Sequence, residues 1–203
     1  MPRSPEPARR QLLDAALRLF ARNGISATSL REIRLAARQG NAGALHYHFG
    51  DKQGVLRALL ERELPVLVER RKALLVDVSD SRSVAAVFVL PFAELATGTD
   101  HEREVVQLLS QLHDDVSFSI EDITDLIGDT GTGDAYLLLR DRVAGVADEL
   151  LAERVRVAVN SFLHAAAIWA RGERRAHQVS DELFRANLVD MFLGAVTGPA
   201  LDR

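Results

Sequence analysis

Pattern and punctuation are helical throughout this 203-residue chain, and no segment shows a convincing period of two. That leaves an all-α fold. From Pro7 to Asn23 the apolar set Leu13, Ala16, Leu17 and Phe20 follows helical spacing, and Gly24 sits where a left-handed residue would end the helix. SLRE, Ser29 to Glu32, has the spacing of a capping box and opens a second helix that buries Leu30, Ile33 and Ala37. A polar turn, RQGN at 38–41, separates it from a short third helix with Ala42, Leu45 and Phe49 in one stripe. Gly50 and the N-cap candidate Asp51 then introduce a long helix from Lys52 to about Val76, which Pro65 should kink.

Further on, breaks are expected at 78–83, 96–100, 113–119 and 127–134. The last two helices, about Asp148 to Arg171 and Ser180 to Val196, read as the most apolar of this part. In the first of them Val155, Ala158, Phe162, Ala165, Ala166 and Trp169 form a stripe, and Val159, Leu163 and Ala170 widen it. A helix so broadly apolar must bury two sides.

The length suits one long domain or a small one fused to a larger, and the globular composition supports a core. Without cysteine there is no disulfide, thiol nucleophile or thiolate metal site. No apolar run approaches the ~18 to 20 residues of a membrane span, and the N-terminus lacks a hydrophobic signal core, so a soluble, cytoplasmic protein is expected. The net charge of -4 hides an asymmetry. Residues 1–52 hold nine basic and four acidic side chains, a net of +5, which leaves -9 for residues 53–203. The expected organisation is a basic head at 1–52, able to approach a polyanion, and an acidic body at 53–203, linked by the fourth helix.

Three short helices with a four-residue turn between the second and third match a helix-turn-helix unit, whose last helix enters the major groove. Opposite the buried stripe of that helix lie Gly43, Ala44 and Tyr47, flanked by His46 and His48. Small residues let the backbone approach base edges, while Tyr47 and His48 can donate to phosphate oxygens. Lys52, with the backbone N–H groups that begin the fourth helix, offers a second phosphate site, and the hydroxyls of Thr28 and Ser29 offer a third.

The run TSLREIRLAARQGNAGALHYHFGDKQGVLRALLERE, preceded by RRQLLDAALRLFARNG, resembles the N-terminal domain of TetR-type transcriptional regulators over about residues 8–65. The resemblance places Thr28, Ser29, Asn41, Ala42, Gly43, His46, Tyr47, His48 and Lys52 at DNA-contacting positions. The turn is one residue longer than the commonest pattern, and is similar to a variant worded Gln-x-Asn-Ala-Gly. Arg34 stands where a small alanine is usual, and Arg38 where a turn glycine is usual. Arg38 must then hold a left-handed conformation, or the turn differs; either arginine could instead touch phosphate.

For the body the resemblance implies a helical ligand-binding and dimerisation domain whose last two helices form a four-helix bundle with their mates. Val155, Ala158, Phe162, Ala165, Ala166, Trp169, Leu188, Met191 and Phe192 are the candidate interface, with Leu183 and Ala195 beside them. Candidates for lining a pocket between the fourth and seventh helices are Phe88, Phe92, Leu95, Leu108, Leu112, His113 and Phe118. The expected function is a repressor that binds a palindromic operator in double-stranded DNA as a homodimer and is released by a small apolar or amphipathic effector, with no cofactor or metal. The alternatives are a constitutive DNA-binding or interaction module without effector, and a helical enzyme acting on a small molecule. An enzyme would need convergent titratable groups, and the remaining histidines and acids select no geometry. The glycine-rich 127–134 lacks the Gly-Lys-Ser/Thr ending of a phosphate loop and reads as a surface loop.

Overall fold

The computed structural model describes residues 5–41, 43–113, 129–172 and 179–199. Ala42 and Phe118 lie outside the described residues, as does the side chain of His113. Among the described residues are nine helices and no strand: α1 (Pro5–Asn23), α2 (Leu30–Ala36), α3 (Ala44–Phe49), α4 (Lys52–Val76), α5 (Ser81–Thr97), α6 (Asp100–His113), α7 (Thr132–Arg140), α8 (Asp148–Arg171) and α9 (Asp181–Thr197). None is long and apolar enough to cross a membrane, and no described cluster of acids or histidines could hold a metal ion.

The punctuation works as its chemistry dictates. Gly24 ends α1 at φ +97° with its N–H on the Phe20 carbonyl. The reciprocal capping box of Ser29 and Glu32 starts α2, and Asp51 caps α4 through the Gly54 N–H. Asp80 caps α5 in the same reciprocal way, with Ser83 as its partner.

The head packs α1 against α2 and α4, burying Leu12, Leu13, Leu17, Phe20, Ile33, Leu45, Val55 and Leu59. In the body α5 is the central helix and touches α4, α6, α7, α8 and α9. This corrects the expectation that the last two helices are the most apolar. Nearly every turn of α5 is buried, from Val84 to Ala96, because a helix surrounded by five others has little face left for water.

The two-sided stripe of α8 also turns out differently. Ala158, Phe162 and Ala166 of α8, with Leu188 and Phe192 of α9, lie in the protomer's own core, each under 5% exposed. Phe192 stacks on Phe88 at 5.1 Å and meets Phe162 edge-on at 6.1 Å. Trp169 stacks on Phe184 at 3.9 Å and donates its indole N–H to Asp181, joining α8 to α9 within one chain. Ala158, Phe162, Ala166, Leu188 and Phe192 are therefore corrected from interface to core, because α5 covers that face of the helix pair, whereas Val155, Ala165 and Trp169 are half-buried. The side turned away from α5 carries Val157, Ser161 and His164 of α8 and Leu183, Asn187, Met191, Gly194 and Ala195 of α9, all exposed.

Candidate nucleic-acid interface

Construction of the head begins at the turn between α1 and α2. Thr28 is 1% exposed, and its hydroxyl donates to the Gly24 carbonyl at 2.8 Å and to that of Leu19 at 3.3 Å. Its hydroxyl is thus committed inside the turn, where it sets the position of Ser29. The Ser29 hydroxyl, then its N–H, holds the Glu32 carboxyl below its ordinary range, so the box keeps its charge-assisted bonds near neutral pH.

Lys52, expected on phosphate, reaches back across the head and donates to the carbonyls of Ile25 and Ser26 at 3.0 and 3.3 Å. An ammonium has three donors, so this clasp leaves one. The start of α4 is likewise less open to an anion than its sequence implies. The Asp51 carboxylate already accepts from Gly54 at 2.8 Å and brings negative charge to the helix end.

Between α2 and α3 the two unusual arginines take separate roles. Arg34 donates to the Gln39 carbonyl at 3.0 Å and approaches that of Gly40 at 3.5 Å, which caps the turn. Gln39 in turn bonds Gln11 of α1. Arg38 holds the left-handed conformation at φ 54°, so the turn keeps a glycine-type geometry with an arginine in it. Arg38→Gly should relieve that strain and stabilise the fold by about 0.5–1 kcal/mol, less than the full left-handed cost because glycine also loosens the unfolded chain. Thermal unfolding checks this; an unchanged or lower midpoint would show that the arginine side chain compensates.

Asn41 closes the turn with its side-chain oxygen on the Gly43 N–H at 2.9 Å. The short α3 is then anchored by Leu45, 4% exposed, and by half-buried Phe49, over whose ring the Arg9 guanidinium lies at 5.5 Å. Its other side is open. Tyr47 is 81% exposed, with the His48 ring edge-on at 5.1 Å. His46 Nδ1 lies 2.8 Å from the Gly50 carbonyl, which can only accept, so Nδ1 carries the hydrogen. Gly43 and His46 complete an outward surface of one phenol, imidazoles and bare backbone.

One residue that the sequence pattern did not single out holds this arrangement together. A side chain at Gly54 would overlap the backbone carbonyl of Phe49, so α4 can start this close to the end of α3 only with glycine there. Its signal is a glycine inside an otherwise helical run, which costs helix stability and therefore needs a packing reason.

The pocket candidates divide. Phe88, Leu95, Leu108 and Leu112 are packed into the core at 1–4% exposure, while Phe92 is half-buried beside Arg71 of α4.

A short helix held outward by a turn, on a basic head joined to a helical body, defines a helix-turn-helix protein of two parts. Residues 12–59 match the family model for bacterial regulatory proteins of the tetR family. Among curated proteins it is 43% identical over 56 residues to the HTH-type transcriptional regulator AcrR of Shigella flexneri, covering 28% of this chain and 26% of that one. The chain thus spans about a quarter of that relative's length. Over the whole length the fold is similar to that of the transcriptional regulator FadR from Bacillus subtilis in complex with stearoyl-CoA, with a TM-score of 0.60 and 16% identity, covering 94% of this chain and 99% of that one. It is also similar to the ketosteroid transcriptional regulator KstR2 of Mycobacterium tuberculosis, with a TM-score of 0.60 and 16% identity over 96% and 95%.

Proposed function

We propose that the protein is a cytoplasmic transcriptional regulator that binds a palindromic operator as a homodimer and is released from it, as a repressor, by a small amphipathic effector held in the body. The observation that carries the DNA-binding part is α3, whose exposed His46 and Tyr47, with the exposed N-cap Gly43, stand apart from the buried Leu45, within a segment that matches the tetR family model. Few of these groups make bidentate contacts to bases, so phosphate contacts and DNA shape carry much of the recognition. Asn41, Gly43, His46, Tyr47 and His48 are the residues assigned to the DNA, with Arg38 and the spare donor of Lys52. Ser29 and Thr28 act mainly by shaping the turn.

Effector control is supported by the way the two parts are joined. Gln111 of α6 accepts from the Ile25 N–H and donates to the Phe20 carbonyl, both at 3.0 Å. Arg62 of α4 pairs with Asp14 of α1 at 2.7 Å, and Glu63 beside it meets His101 of α6. Body helices therefore grip α1 and the turn that follows it. A ligand preferring a different placement of α6 would carry the heads with it, and that differential affinity is what couples the two sites. The domain boundary then falls within the first turns of α4, a continuous helix that belongs to both parts.

Selection of bound duplexes from a random pool tests the reading, and a palindrome should be enriched. Tyr47→Ala should weaken binding to that palindrome about tenfold and flatten its salt dependence, with the thermal midpoint unchanged because the ring is exposed. Failure to enrich any palindrome would overturn the proposal; full binding by the variant would overturn the role of Tyr47.

A further inference from the structure

Three arginines of α4 sit at least partly inside the protein, and two of them have carboxylates. Arg62 meets Asp14 and Glu63, and Arg70 meets Glu102 at 2.6 Å and Glu94 at 3.8 Å. Arg71, the most buried at 7% exposure, has no carboxylate partner among the described residues. Its Nη1 donates to the Thr132 hydroxyl at 2.9 Å and the Thr130 carbonyl at 3.2 Å, and its buried Nε has no partner among the described residues. An isolated buried cation is costly unless an anion meets it. Burial pushes Arg71 down to about 10, which still leaves it charged at neutral pH.

The groups around it favour an anion as well. Thr130 and Thr132 flank Gly131, the N-cap of α7 at φ +70°, which has no side chain to cap with; the Thr130 hydroxyl lies 3.4 Å from the Thr132 N–H, and the helix begins beside the Arg71 side chain. Of the described acids nearby, Asp129 accepts from the Gly131 N–H, and Asp134 in the first turn of α7 is exposed. On the other side the Phe92 ring lies 5.7 Å from the guanidinium, half-buried and tilted against Phe162. A charge, hydroxyls and helix donors thus meet an aromatic wall.

We infer that Arg71, with Thr132 and the N-terminus of α7, binds the carboxylate or phosphate group of an organic anion whose apolar part lies against Phe92. This rests on the reading of the body as an effector domain and names the chemical class of that effector. Arg71 is the residue that reads the charge, and its planar fork suits either oxyanion.

The test measures binding to the full-length protein by calorimetry and thermal shift. The probes are octanoate, octyl phosphate, octanol and octyltrimethylammonium. At least one of the two anions should bind and raise the midpoint, the alcohol and the cation should do so far less, and the better anion identifies the head group. Arg71→Met should lose roughly ten- to hundredfold of anion affinity while keeping that for octanol, and Arg71→Lys should retain part of the preference. Circular dichroism confirms that both variants are folded; should Arg71→Met not fold, Arg71→Lys and the charge series on the wild type still decide. Binding of neither anion to the wild type, or equal binding of anion and alcohol, overturns the inference and leaves Arg71 as a brace for the 130–132 turn. Operator release separates this from the broader reading. Release by octanol alone would sink the anion site and keep effector control, whereas anion binding without any effect on a selected palindrome would keep the site and sink effector control.

Discussion

Gly54→Ala is expected to destabilise the head by about 2–3 kcal/mol and to cost most of its DNA binding. The added methyl group would collide with the Phe49 carbonyl, a backbone group at the end of α3 that cannot swing aside as a side chain would. Relief requires α3 and α4 to separate, and that tilts the surface carrying His46 and Tyr47. The loss should therefore appear twice, as a lower unfolding midpoint and as weaker binding to the selected palindrome. Gly43→Ala is the control. There a Cβ would sit 3.5 Å from the Asn41 side-chain oxygen, an ordinary contact, at φ -82°. Its fold should be preserved, so any loss of binding reports on close approach to DNA. A Gly54→Ala protein with wild-type stability and affinity would show that the two helices can part freely.

The second large effect is expected at the outer face of α8 and α9. Met191 and Val157 are 61% and 48% exposed, and Gly194, Ala195 and Ser161 beside them are small enough for another helix pair to come close. With the opposite side of both helices packed on α5, this is the face on which the proposed dimer rests. Met191→Glu combined with Val157→Glu would place two carboxylates from each chain against apolar surface, which they cannot join without losing water. A monomer is the expected result in light scattering, with helix content unchanged because both positions are already exposed in one chain. Affinity for a palindrome should fall about a hundredfold or more, since two tethered heads bind together far better than two separate ones. An intact dimer in the double variant would move the interface elsewhere; a monomer binding DNA as well as the wild type would remove dimerisation from the mechanism.

Local chemistry was legible wherever it was spelled by neighbours in the chain. Ser29 and Glu32, Gly24, and Asp51 all act through bonds to residues within four positions, and α4 and α8 run over the expected bounds. The site was legible only as a surface. His46 and Tyr47 are exposed as their spacing on α3 requires, and Gly43 just before it is exposed too, but Thr28 turns its hydroxyl into the head and Lys52 commits two of its three donors there. The Lys52 partners, the carbonyls of Ile25 and Ser26, are far away in the chain and are set by how α1 and α4 meet, while Thr28 turns inward onto the carbonyls of Gly24 and Leu19.

The sequence by itself determined an all-helical chain, the head with its capped helices and turn, and the basic and acidic division, because helical period, capping and charge are local properties. Only the tertiary structure decided which side of α8 and α9 belongs to the protomer. An apolar stripe records that a face is buried, not what buries it, and here the answer is α5 for Phe162 and Phe192. The same holds for Arg71. Its residue type allowed an exposed charge, and the packing of α4 against α5 and α7 put that charge in a place where a counter-ion is worth having.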